Sequence, residues 1–127
     1  MDTKDLAEKG LKLRKELFGD AAVEQRMAAF GAFGEPLPHI INAYAYGDIW
    51  SRPGLPMSTK SLAMIAMMAA AGKPAELRVH LNGALQNGCT PEEIREILLL
   101  VALYCGIPTG NEAHRAAIEV LQEKRKT

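Results

Sequence analysis

The 127-residue sequence carries 15 basic and 15 acidic side chains, a formal net charge of zero and a sequence pI near 6.8. That balance lacks the positive footprint of a nucleic-acid or anionic-membrane binder, which leaves a small molecule or another neutral surface as the expected partner. The longest uncharged apolar run, Leu62 to Ala71, is far short of the roughly 20 residues a membrane-spanning helix needs.

The length suffices for one domain with its own core, residues 1 to 127, needing neither disulfide nor metal. Two cysteines, Cys89 and Cys105, and no basic-then-apolar leader point to a reduced, cytoplasmic protein. From Thr3 to Phe18, Leu6, Leu13 and Leu17 fall near one side with Lys and Glu between them, the pattern of a surface helix that ends at Gly19. A second helix is expected over Ala21 to Phe33, weakened at its end by Gly31 and Gly34. After Pro36 and Pro38, Leu37 to Trp50 reads as a third, and Arg52-Pro53-Gly54-Leu55-Pro56 as a turn. Ser58 or Thr59 can cap the next helix, which runs through the apolar stretch to Gly72 and has no polar face, so it must be buried on every side. Ala75 to Asn87 forms another helix, closed by Gly88. Thr90-Pro91-Glu92-Glu93 is a capping box that starts an uninterrupted apolar helix to Cys105. Gly106 and Pro108 stop that helix, and Thr109 to Lys124 is the last. No stretch alternates with a two-residue period, so the fold class is all-α, with about six to seven helices. Two helices apolar all round exceed what so short a chain encloses, so a second copy is expected to cover part of them.

His80 lies between the two apolar runs. At 100° per residue, Leu77, Leu81, Ala84 and Leu85 form the core side of its helix, and Glu76, His80, Gly83 and Asn87 a stripe along the border. A histidine there can present one ring nitrogen to a cavity while Glu76, four residues earlier, orients the ring. A border histidine that only satisfies a core-edge hydrogen bond fits the same spacing.

The motifs W-S-R-P-G-L (50 to 55), E-L-R-V-H-L-N-G-A-L-Q-N-G-C-T-P-E-E-I-R-E (76 to 96) and V-A-L-Y-C-G-I-P (101 to 108) together resemble the carboxymuconolactone decarboxylase family, over roughly Asn42 to Leu121. This makes residues 42 to 121 the family-matching core, after N-terminal helices over 1 to 35. The resemblance implies a helical subunit related to alkylhydroperoxidase D and assembled as a homo-oligomer, a trimer or hexamer. It also implies a small lactone or acid substrate from aromatic-compound catabolism. The thiol-peroxidase branch of the family uses a Cys-x-x-Cys pair ahead of its histidine. Aligned on His80, those positions hold Lys73 and Glu76, and the branch's glutamate position holds Ser61, so a thiol reading is the weaker alternative.

For the decarboxylase branch the implied substrate is its own electron sink, and neither a cofactor nor a metal is expected. His80 is the candidate proton donor with Glu76 as its partner. Arg52 is the candidate carboxylate clamp, because a guanidinium holds a carboxylate by two bonds. Trp50 and Tyr46 are candidate pocket walls, and Lys60 and Asn87 further candidate substrate contacts. Lys60 stands where close relatives carry arginine, and Tyr46 where tryptophan is common. His39 and His114 are read as surface or subunit-contact residues. A non-catalytic oligomer that binds a small ligand is the alternative from a different class.

Overall fold

The structure is a computed structural model that describes residues 2 to 126, and all its regular elements are helical. Seven helices are present among the described residues, as the sequence predicts. They fall into two compact units, Met1–Leu55 and Pro56–Thr127, divided at the proline-rich turn.

In the first unit, α1 (Thr3–Phe18) begins where the Asp2 carboxylate accepts the Asp5 N–H at 2.9 Å and ends at Gly19. Helix α2 (Asp20–Ala28) is shorter than predicted. The chain turns from Ala29 onward, and Gly31 takes φ +59°, a conformation that a side chain disfavours. Helix α3 starts as Pro36–Ile40 and continues as a π-helix over Ile41–Trp50. The expected helix is therefore present, but its second part has the wider turn that occurs frequently at functional sites. Ser51 closes it by donating to the Gly47 carbonyl at 2.6 Å.

Helix α1 lies on the π-helical part of α3 almost backbone to backbone. A Cβ on Gly10 would fall 1.6 Å from the Asn42 carbonyl oxygen, and one on Gly47 would fall 2.3 Å from the Leu6 carbonyl oxygen. Only glycine permits that approach. Beside it the buried Arg14 donates to Asn42 Oδ1 at 3.1 Å, with its guanidinium 5.6 Å from the centre of the Tyr46 ring. A buried cation held by an amide and an aromatic face is thus part of this unit's core.

The second unit contains α4 (Met57–Ala70), α5 (Pro74–Gln86), α6 (Pro91–Cys105) and α7 (Ile107–Lys126). Helix α4 packs on the other three, and α7 also covers α5 and α6. The core between them is aliphatic, centred on Ile65, Leu81, Leu98 and Val120. The capping box at Thr90 forms in both directions: its hydroxyl accepts the Glu93 N–H at 3.1 Å and Glu93 Oε1 accepts the Thr90 N–H at 2.9 Å. Helix α4 is not capped by Ser58 or Thr59; it begins at Met57 after Pro56, with no side-chain cap. Gly106, at φ +100°, ends α6 alone, while Pro108 sits in the first turn of α7, where its missing N–H costs nothing.

The expectation that α4 is buried on every side fails within this chain. Ala63, Met67 and Ala70 are exposed, and so on α6 are Leu99, Leu100, Leu103 and Tyr104, the last two at 73 % and 81 %. Four helices in this unit are too few to enclose two that lack a polar face.

Candidate functional site

The seven candidate residues divide between the two units. Tyr46, Trp50 and Arg52 belong to the first; Lys60, Glu76, His80 and Asn87 belong to the second.

Tyr46 and Trp50 are both buried and stack, one helical turn apart, with ring centroids 5.6 Å apart and planes at 20°. Phe18 of α1 meets both edge-on, at 5.8 Å and 6.5 Å. Such contacts fix ring orientation as well as burying area. Arg52, just past the π-helix, is exposed and offers Nε and Nη2 to Asp48 Oδ1, each at 3.1 Å. The aspartate thus holds two N–H groups of the guanidinium fork.

His80 is 4 % exposed, deeper than the border position that the helical wheel gives it. Helix α5 has neighbours on two sides, α4 and α7, so its borders are narrower than a wheel drawn for one neighbour supposes. Gly83, on the same stripe, is buried too. The Glu76–His80 contact that the four-residue spacing allows is not formed. Glu76 is exposed, and its carboxylate makes no hydrogen bond or ion pair among the described residues. Asn87 is half-buried at the end of the stripe, where its Nδ2 donates to Ser61 Oγ on α4 at 2.9 Å. Ser61 is 1 % exposed. Lys60, its neighbour, is half-buried.

The two cysteines behave differently and both are free thiols. Cys89 is buried, its Sγ donates to the Ser58 carbonyl at 3.4 Å, and burial, helped by the nearby Glu93 charge, pushes its pKa up. A thiol held protonated is a poor nucleophile. Cys105 is exposed at the end of α6. His39 is exposed, and the half-buried His114 has Nδ1 2.7 Å from the Gly110 carbonyl of its own helix. Among the described residues no three His, Cys, Asp or Glu side chains gather as a metal-holding group, and no helix is long and apolar enough to cross a membrane.

Sequence reasoning alone does not single out Arg14 with Asn42, or Ser61 as the partner of Asn87. The signal for Arg14 is its spacing from Gly10 and Leu17, which places a cation on the buried face of α1. For Ser61 it is a lone hydroxyl inside an apolar helix.

Residues 35–119 match the model of the carboxymuconolactone decarboxylase family. A 4-carboxymuconolactone decarboxylase from Acinetobacter baylyi is 37 % identical over 123 residues, covering 97 % of this chain and 92 % of that protein. A nitrosuccinic acid decarboxylase from Metarhizium robertsii is 37 % identical over 108 residues, covering 85 % and 76 %. On a family match across most of the chain and relatives alike along nearly its whole length, this protein belongs to the carboxymuconolactone decarboxylase family.

Proposed function

We propose that this protein decarboxylates 4-carboxymuconolactone, or a small acid built on the same plan, with His80 delivering the proton that replaces the departing carboxylate. Its class, a carboxy-lyase, rests on the family and on two relatives that are both decarboxylases. The substrate and the roles of the residues are our reading. The observation that supports it most is the likeness to the Acinetobacter baylyi decarboxylase over 97 % of the chain.

The chemistry explains why one scaffold serves both relatives. In 4-carboxymuconolactone the carbon–carbon bond to the carboxylate breaks, carbon dioxide leaves, and the electron pair runs through the ring double bond into the lactone carbonyl. In nitrosuccinic acid a nitro group can receive the pair in the same way. Each acid carries its own electron sink, so the protein has to place the carboxylate, stabilise the developing oxyanion and protonate carbon. A buried imidazole on a rigid helix suits the last task, because little water competes for its proton. Within the second unit Lys60 serves as a cation for the carboxylate, and Asn87 supplies an amide toward the substrate. Glu76, one turn before His80 and exposed, acts through its charge, favouring the imidazolium.

The active particle in this reading is a homo-oligomer, a trimer or hexamer. The exposed leucines of α6 support it, since apolar surface of that extent marks an interface. Incubating the purified protein with 4-carboxymuconolactone and, separately, with nitrosuccinic acid tests the proposal. Carbon dioxide release from one of them at a rate proportional to enzyme is the expected result. No release from either overturns it.

A further inference from the structure

The hydrogen bond between Ser61 and Asn87 leaves more polar capacity open than it uses. Two other polar side chains of this protein satisfy themselves on nearby backbone. Ser51 donates to the carbonyl four residues back at 2.6 Å, and Asn82 Nδ2 does so at 3.0 Å. That local bond is the usual fate of a serine inside a helix. Ser61 does not form it. Its Oγ accepts from Asn87 Nδ2, and its own O–H has no acceptor among the described residues. Asn87 retains a second N–H and its Oδ1, likewise without partners among the described residues. Around them the second unit is aliphatic, with Leu62 and Ile65 following Ser61 on α4 and Ala84 one turn before Asn87 on α5.

A buried hydroxyl that engages a half-buried amide on the next helix fixes the amide's plane and register. The Asn87 side chain shares a stripe with His80 and Gly83, about 10 Å along the helix axis from the imidazole. That separation is on the scale of a small dicarboxylic acid, whose carbonyl and carboxylate oxygens match the open N–H.

We infer that Ser61 is a positioning residue. It acts through Asn87, holding that amide so that it binds a carboxyl or lactone-carbonyl oxygen of the substrate whose other end reaches His80. The inference rests on the decarboxylase reading above and adds to it the residue that orients the amide. A side chain that only staples α4 to α5 would contribute to stability and leave substrate binding alone, and this difference can be measured.

The test is steady-state kinetics with thermal unfolding on Ser61→Ala, Asn87→Ala and the double variant, using whichever of the two acids the unmutated protein turns over. Each single variant is expected to raise KM about tenfold with little change in kcat, the signature of a lost binding contact. The double variant is expected to be no worse than Asn87→Ala alone, because Ser61 has no role once its partner is gone. Ser61→Thr, which restores the hydroxyl, should recover part of the loss. Ser61→Cys keeps the volume without a strong hydrogen-bonding group and should give the same KM change as the alanine variant, even if that variant is poorly folded. A lowered melting temperature with KM within twofold of the unmutated value overturns the inference, as does a double variant whose defect is the product of the single ones. Absence of turnover by the unmutated protein is a different failure: it removes the decarboxylase reading and the inference with it.

Discussion

The two units of this protein solve the same problem with different materials. In Met1–Leu55, α1 and the π-helical part of α3 meet through Gly10 and Gly47, and the core includes an arginine, an asparagine and three aromatic rings. In Pro56–Thr127 the helices meet mainly through aliphatic side chains, and the buried polar residues are His80 and Ser61. The first arrangement depends on shape and direction, so single atoms matter. The second depends on apolar area, which tolerates exchange between residues of similar volume.

Adding one methyl group breaks the comparison most severely. Gly10→Ala places a carbon inside the Asn42 carbonyl, where only backbone can move. We expect a loss of about 3 kcal/mol or more, read by urea unfolding. Gly110→Ala in the second unit meets the Ala102 Cβ at 2.5 Å and its Cα at 2.9 Å, also a clash but a shallower overlap than the 1.6 Å at Gly10. A loss of about 1–2 kcal/mol is expected there. If the two variants lose equal stability, the contrast between the units is wrong. Thr90→Ala removes half of the capping box and should cost about 1 kcal/mol. The pair between Arg78 and Glu119 is exposed, and Glu119→Gln should cost less than about 1 kcal/mol.

Two further outcomes sharpen the account of the second unit. On the homo-oligomer proposed above, Leu103→Lys on the exposed face of α6 should shift the particle to lower mass in light scattering while leaving helical content unchanged. At neutral pH Cys105 should react with iodoacetamide at least tenfold faster than Cys89, whose folded pKa is raised. The proton on Cys89 favours the folded state. Its contribution is therefore fully present below the thiol's unfolded pKa, about 8.5, and is lost as pH rises through the folded value. Cys89→Ser should flatten that alkaline loss in a series of unfolding curves.

Much of the second unit was legible from residue order, because its devices are local. The capping box, the positive-φ glycines after α4, α5 and α6, and the aliphatic face of α5 each fall within a few residues of one another. The first unit was less so. Nothing in a one-sided leucine pattern says that Gly10 will press against a carbonyl 32 positions away, or that Ile41–Trp50 will widen into a π-helix. Those outcomes depend on long-range contact, which periodicity does not encode. The same limit applies to the site: His80 could be chosen from its place between two apolar runs, whereas the expected Glu76 contact is absent and the Ser61 bond to Asn87 was not foreseen.

The central claim is that the His80 imidazole supplies the proton to carbon, and the direct measurement is kcat for His80→Gln against the unmutated protein on the acid it decarboxylates. Thermal unfolding and particle mass must be matched first. A fall of about 100-fold or more with assembly intact is the predicted result. A variant that keeps its fold and its turnover within a few-fold of the original would contradict it.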